Sequence, residues 1–172
     1  MIMPFLFFQI AMGFGQVSNT SKKVENMDTL AKHGALFVMD GVVLQKPYYL
    51  NPDSIVDLTI ITRNKANEIF HSSAQNDIVV MISSRRAIAD YQKKFSAFSE
   101  DYRKYLQTHK NDDKNILYIL NGVTLDSKNK IELTRELYKI PLKALKKVGY
   151  SNNFVEGMKY GATIFITTEN QH

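Results

Sequence analysis

"FVMDGVVL" occupies Phe37–Leu44, and "YILNGVTL" occupies Tyr118–Leu125. Each is a short apolar run, an Asx-Gly pair and a second apolar run. Asp-Gly and Asn-Gly suit a two-residue type I′ turn, where both central residues take positive φ. Each stretch therefore predicts a β-hairpin. The hairpins head two longer regions that match block by block. Leu36–Leu44 aligns with Leu117–Leu125 without gaps, Pro52 aligns with Pro141, and "IVVMISS" (Ile78–Ser84) aligns with "ATIFITT" (Ala162–Thr168). The order is kept and only the spacers differ, which reads as an internal duplication.

Other elements follow from local patterns. Val24, Met27, Leu30 and Ala31 fall at helical spacing, so residues 23–32 read as a short helix that Gly34 can end. "LNPDSIVD" holds a helix start, with Asn51 as cap, Pro52 first and Asp53 in the first turn. "DLTIIT" reads as a strand, and "NKANEIF" as a short helix capped by Asn64. "DIVVMISS" (Asp77–Ser84) is apolar enough to be a central strand covered on both faces. From Arg85 to about His109, the residues Ile88, Tyr91, Phe95, Phe98, Tyr102, Tyr105 and Leu106 form one wide stripe at helical spacing. That stripe predicts one long amphipathic helix joining the halves. In the second half "KIELTRELYKI" has helical character, and Pro141 is placed to open a further helix, "PLKALKK". "VGYSNNF" holds a weak strand, "VEGMKYG" a turn or short helix, and "ATIFITTE" (Ala162–Glu169) the closing strand.

The 172 residues are 44% hydrophobic, enough for a real core, and 23% charged, which argues against global disorder. Lysine and arginine exceed aspartate and glutamate by 22 to 17, a mild excess compatible with an anionic partner. The absence of cysteine excludes disulfides, thiolate metal sites and cysteine nucleophiles. At the N-terminus "MIMPFLFFQIAMGFG" is apolar or small apart from Gln9, yet shorter than the ~20 apolar residues of a spanning helix. Gly13 and Gly15 then form a small-x-small pattern before the polar "QVSNTSKK". This reads as a secretory signal peptide cut after Gly15, and places the protein in the periplasm or at the outer membrane. No other segment reads as membrane-spanning.

The first half resembles the core of the plug domain of TonB-dependent outer-membrane receptors. The resemblance rests on "FVMDGVVL", "LNPDSIVDLTII", "NKANEIFHSSAQND" and "IVVMISSRR" in that order. The second half resembles the same pattern through "YILNGVTL", "IPLKAL" and "YGATIFITTE". The spans 36–84 and 116–168 together cover more than half of the chain. Two positions depart from the pattern: Asp77 stands where a glycine commonly opens the last strand, and His71 replaces the glycine after the aromatic Phe70. Three residues follow Glu169, too few for a receptor's barrel, so the resemblance implies a free-standing plug-like protein. The expected fold class is α/β, more closely α+β: two plug-like repeats of small mixed sheets with helices, joined by the long amphipathic helix. The expected organisation is a signal peptide over 1–15, a leader and short helix over 16–34, half-units over 35–84 and 115–172, and the linking helix over 85–114.

No residue set stands out as catalytic, cofactor-binding or metal-binding. His33, His71, His109 and His172 are far apart and lack ligand spacing. His71 is followed by Ser72 and Ser73, but no GxSxG elbow accompanies them. Asp40 and Asn121 read as turn residues, and Asp112-Asp113 as solvated carboxylates in a lysine-rich loop. "SSRR" (Ser83–Arg86) and Lys143, Lys146 and Lys147, placed together on the "PLKALKK" helix, are the basic clusters. The functional expectation is a non-catalytic binding module of the periplasm or outer membrane. Its partner would be an envelope protein or an anionic envelope surface, and nucleic acid does not fit an exported protein. A small exported hydrolase and a structural or signalling plug relic are the alternatives.

Overall fold

The computed structural model describes residues 27–45, 51–70, 75–125, 129–152 and 159–169. The signal-peptide reading, His71, Ser72, Ser73, His172 and most of "VEGMKYG" lie outside these residues. The chain is α+β, with two four-stranded mixed sheets of identical order among the described residues. The first sheet is built from β1 (Leu36–Met39), β2 (Val42–Leu44), β3 (Ile55–Ile61) and β4 (Ile78–Ser83) in the order β2-β1-β4-β3. The second comprises β5 (Ile116–Leu120), β6 (Val123–Leu125), β7 (Leu145–Ser151) and β8 (Ala162–Thr168) in the order β6-β5-β8-β7. In each sheet the first strand pairs antiparallel with its hairpin mate and parallel with the last strand.

Both hairpins turn as their dipeptides require. Asp40 and Gly41 have φ of 52° and 86°, and Asn121 and Gly122 have 50° and 84°. The turn side chain also reaches across to the last strand. Asp40 Oδ1 accepts the Ser83 N–H at 2.9 Å, and Oδ2 accepts the Ser83 hydroxyl at 2.6 Å. Asn121 Oδ1 accepts the Thr168 N–H at 2.9 Å, while its Nδ2 donates to Thr168 Oγ1 at 2.8 Å. A hydroxyl can donate or accept, so Asp and Asn serve the same clasp.

These clasps make Ser83 and Thr168 equivalent, whereas the gapless sequence match equated Ser84 with Thr168. The block slips by one residue. Likewise Pro141 caps the 3-10 turn Leu142–Ala144, and the equivalent cap before Pro52–Ser54 is Asn51, not Pro52. A one-residue slip moves every side chain of a strand to the other face, so structure decides this register. β3 and β7 even share a register shift at the same place, Ile55/Asp57 and Leu145/Lys147.

Other expectations need correction. The linking helix is two helices, α3 (Ser84–Ser96) and α4 (Glu100–Thr108). Ser99 breaks it by taking an extended backbone and accepting the Tyr102 N–H as an N-cap. "PLKALKK" is not a helix: after the 3-10 turn, Leu145 opens β7, which separates Lys143 from the strand residues Lys146 and Lys147. α2 (Arg63–Phe70) starts before Asn64, and its first N–H is bound by Asp77 Oδ1 at 2.8 Å. The short N-terminal helix is α1 (Met27–Lys32), and Gly34 follows it at φ 77°. α5 (Lys130–Lys139) forms as read.

Helices cover the inner face of each sheet. Met27, Leu30 and Ala31 of α1 pack on Phe37, Leu58, Val79 and Met81. Tyr91, Phe95, Tyr102 and Leu106 pack on Tyr118, Val148, Ile164 and Ile166. Most of the aromatic stripe is therefore core. Two cations tie the halves and helices together. Arg135 Nε of α5 donates to the Val56 carbonyl at 2.7 Å. Lys94 Nζ donates to the carbonyls of Leu137 at 3.2 Å, Tyr138 at 3.0 Å and Ile140, closing the C-terminus of α5. No helix among the described residues is long and apolar enough to cross a membrane.

Candidate functional site

The loop between α4 and β5 gathers the most chemistry. α4 ends at Thr108, and Lys110 and Asn111 then take φ of 53° and 60°. Neither is glycine, and left-handed backbone costs a residue such as Lys110 about 1–2 kcal/mol, though asparagine adopts it more readily. Something must hold it. The Asn111 N–H bonds the Leu106 carbonyl at 2.8 Å, and buried Gln92 donates Nε2–H to the Asn111 carbonyl at 3.1 Å.

Two residues later Asp113 turns inward and is buried, where the sequence reading had a solvated carboxylate. One of its oxygens, Oδ2, accepts the Tyr91 hydroxyl at 2.6 Å and the Tyr118 hydroxyl at 2.7 Å. The Tyr102 hydroxyl stands 3.0 Å from that of Tyr118. Helices α3 and α4, strand β5 and the loop thus meet at one polar cluster inside an apolar core. Burial, and then the Asp113 charge, push Tyr91 and Tyr102 far above the usual phenol range. Burial also raises Tyr118, with its tyrosine neighbours adding to it. All three stay neutral donors, which suits the buried carboxylate.

Outside this anchor the loop meets solvent. The Tyr105 ring stacks on His109, with centroids 4.0 Å apart and planes at 13°. Tyr150 of β7 leans on the Tyr105 ring at 5.8 Å and 45°. His109 Nδ1 lies 2.9 Å from both the Tyr105 carbonyl and Thr108 Oγ1, a network in which a proton on Nδ1 leaves Nε2 as the ring's acceptor. Tyr105 and His109 form a ridge between two open clefts. One, of about 470 Å³, runs past Asp101, Lys104, Tyr150 and Asn152. The other, of about 360 Å³, runs past Lys110, Asp112, Lys114 and Asn115. Lys114 pairs with Asp112 at 3.2 Å. The rim carries three lysines against two aspartates.

The ridge brings together His109 and Asp112 from the residues weighed in the sequence. It leaves Asp40, Arg85, Arg86, Lys143, Lys146 and Lys147 elsewhere. Tyr105 and Tyr150 were missed as surface residues: Tyr105 sits in a stripe that is mostly core, and Tyr150 was assigned to a weak strand. Among the described residues no cluster of three or more His, Asp or Glu is placed to hold a metal ion.

Comparison with known proteins finds no matching family model, no similar curated protein and no similar solved structure.

Proposed function

We propose that this chain is a non-catalytic binding module of the bacterial envelope, a free-standing plug-like protein whose ridge engages an anionic envelope surface. The observation that carries the reading is the Tyr105–His109 ridge, raised between open clefts and rimmed by Lys104, Lys110 and Lys114. Aromatic rings with a polar edge suit an interface that is apolar at one end and wet at the other. Lysines near an anionic lipid surface each add about 1 kcal/mol of attraction. The net charge of +5 acts in the same direction. The strained rim is held from beneath, so binding there meets a preorganised surface.

On this reading residues 1–15 are an export signal. Mass spectrometry of the protein from an envelope fraction then finds an N-terminus at Gln16. An intact Met1 in a cytoplasmic fraction contradicts export. The surface itself is tested by co-sedimentation at low salt with vesicles of phosphatidylglycerol and phosphatidylethanolamine, against vesicles of phosphatidylcholine alone. The reading expects anionic vesicles to be preferred, and the double variant Lys104→Glu/Lys110→Glu to bind at least tenfold more weakly. Equal sedimentation with both vesicles, or no loss in the double variant, overturns the anionic surface.

A further inference from the structure

The cleft of about 470 Å³ opens where α4 and β7 diverge beyond the core. On α4, Tyr102 and Leu106 face the core, and Asp101, Tyr105 and Thr108 follow at i, i+4 and i+7 as the neighbouring stripe. On β7, Val148 is core, and Tyr150 and then Asn152, just past the strand's end, follow at period two. Tyr105 and Tyr150 pack on the rim of the core, with ring centroids 5.8 Å apart and planes at 45°. They form a bent aromatic wall, and Asp101, Lys104 and Asn152 stand around it.

The fold leaves the polar groups of this cleft open. Among the described residues, no hydrogen bond or ion pair engages the Asp101 carboxylate, the Lys104 ammonium, the Asn152 amide or the hydroxyls of Tyr105 and Tyr150. Burial, and then the Asp101 charge, raise the Tyr150 phenol, and burial, then Tyr150, raise that of Tyr105, so both remain neutral donors. The two charges select the ligand class. Asp101 repels a phosphate or a carboxylate, and Lys104 repels a cation. What fits is a neutral group rich in hydroxyls, each able to donate to one of these side chains and accept from another. The aromatic wall adds an apolar surface for a ring to lie on. The first half shows that packing alone does not call for this wall. The shared register shift makes Ile60 the counterpart of Tyr150, and Ile60 packs on its core as an aliphatic. The phenol adds a flat face and a free hydroxyl.

We infer that the cleft between α4 and β7 binds one pyranose unit of a neutral saccharide chain. The C–H face of the sugar lies against Tyr150, and its hydroxyls reach Asp101, Lys104 and Asn152. Asp101 can accept from two adjacent hydroxyls at once, because each carboxylate oxygen is an acceptor. An apolar wall with a few convergent polar groups is the usual make-up of a small-molecule site, and the volume lies within the ~300–1,000 Å³ such sites span. The cleft is open to solvent along its side, which lets a chain continue past the bound unit. This inference goes beyond the anionic surface proposed for the ridge. That surface rests on the lysine rim, this site on the aromatic wall and Asp101, and either can hold without the other.

The test is calorimetry of the full chain with cellotriose, maltotriose and triacetylchitotriose, and with glucose. At least one trimer should bind, and more tightly than glucose. Tyr150→Ala should weaken that binding about tenfold, the loss of one stacking ring. Tyr150→Phe, which keeps the ring, should retain more of it. Asp101→Ala, at an exposed position that leaves the fold intact, should weaken it about fivefold. Lys114→Glu, in the other cleft, should leave it within twofold. Vesicle sedimentation run beside the calorimetry separates the two claims: trimer binding without a preference for anionic vesicles removes the anionic surface and supports this site. No binding of any trimer, or binding unchanged in both Tyr150→Ala and Asp101→Ala, overturns the inference. So does glucose binding as tightly as the trimers, because a free sugar would then be the occupant.

Discussion

The two halves share a strand order, a hairpin, a clasp and a register shift, but they differ at the positions that face a neighbour. On the inner face Phe37 of the first half corresponds to Tyr118 of the second. Phe37 needs only apolar company and finds it in α1. Tyr118 brings a hydroxyl into the core, and Asp113, Tyr91 and Tyr102 are arranged around it. On the outer face Val43, Ile78 and Ile82 of the first half correspond to Thr124, Thr163 and Thr167 of the second. One scaffold thus carries a half with an apolar core and a braced half, whose polar core supports an exposed loop. The difference teaches that side-chain chemistry can diverge on both faces of a sheet while the backbone clasp stays the same.

The largest expected effect is at the braced core. Asp113→Ala leaves two buried phenol hydroxyls without their acceptor and should cost about 3 kcal/mol or more of stability, read by urea unfolding. The position equivalent to Asp113 in the first half is Lys32, which is exposed, and Lys32→Ala should stay within about 0.5 kcal/mol. Equal costs at the two positions would break the comparison.

Alkaline pH should separate the halves next. The folded chain holds Tyr91, Tyr102 and Tyr118 protonated well above 10, their ordinary value. Groups raised in the fold contribute fully below the unfolded value and lose that contribution as pH rises past it. Above pH 10 each should therefore remove about 1.4 kcal/mol of stability per pH unit. Tyr118→Phe, which imports the first half's residue, should make that slope shallower by about one tyrosine's share. An unchanged slope contradicts burial of all three. Lys94 acts oppositely and at lower pH. Burial lowers it from 10.5 to about 8, against the pull of Asp90. The unfolded chain then binds the extra proton, so Lys94's share of stability rises with pH between about 8 and 10.5, and Lys94→Met should flatten that rise.

The hairpin turns should respond alike. Gly122 has open space around a would-be Cβ, so Gly122→Ala meets only the cost of its positive φ, about 1 kcal/mol. Gly41→Ala at φ 86° should cost a similar amount. The smallest effect is at the clasps. Asp40 binds Ser83, which also caps α3 by accepting the Arg86 N–H at 3.1 Å, so its charge lies at a helix N-terminus. Asp40→Asn should cost a few tenths to 1 kcal/mol. Asn121→Asp should cost less than that, because β8 ends at Thr168 and the next residue, Glu169, is not helical. Thermal unfolding can rank the pair.

Much of this fold was legible. The Asx-Gly pairs located both turns, and block order revealed the repeat. Register was not legible, because valine, isoleucine and threonine alternate without marking which face is buried. Only Asp40 and Asn121 reaching Ser83 and Thr168 settles it. The break at Ser99 was hidden by a stripe whose spacing continues across two helices packed on one core. Lys146 and Lys147 masked β7, since lysine suits a helix and an exposed strand face equally. Applying the repeat to Leu145–Ser151 would have recovered the strand. The ridge was least legible: nothing in the sequence separates Tyr105 from the buried aromatics around it, or Asp113 from its exposed neighbour Asp112.

The central claim is that two copies of one scaffold differ in what their inner faces hold, apolar packing at Phe37 and a polar brace at Tyr118. The direct measurement is residue-resolved amide hydrogen exchange of the full chain and of its Asp113→Ala variant. The account predicts faster exchange along β5, β6 and β8 in the variant, and unchanged rates along β1, β2 and β4. Equal loss of protection in both sheets, or loss in the first sheet alone, would contradict it.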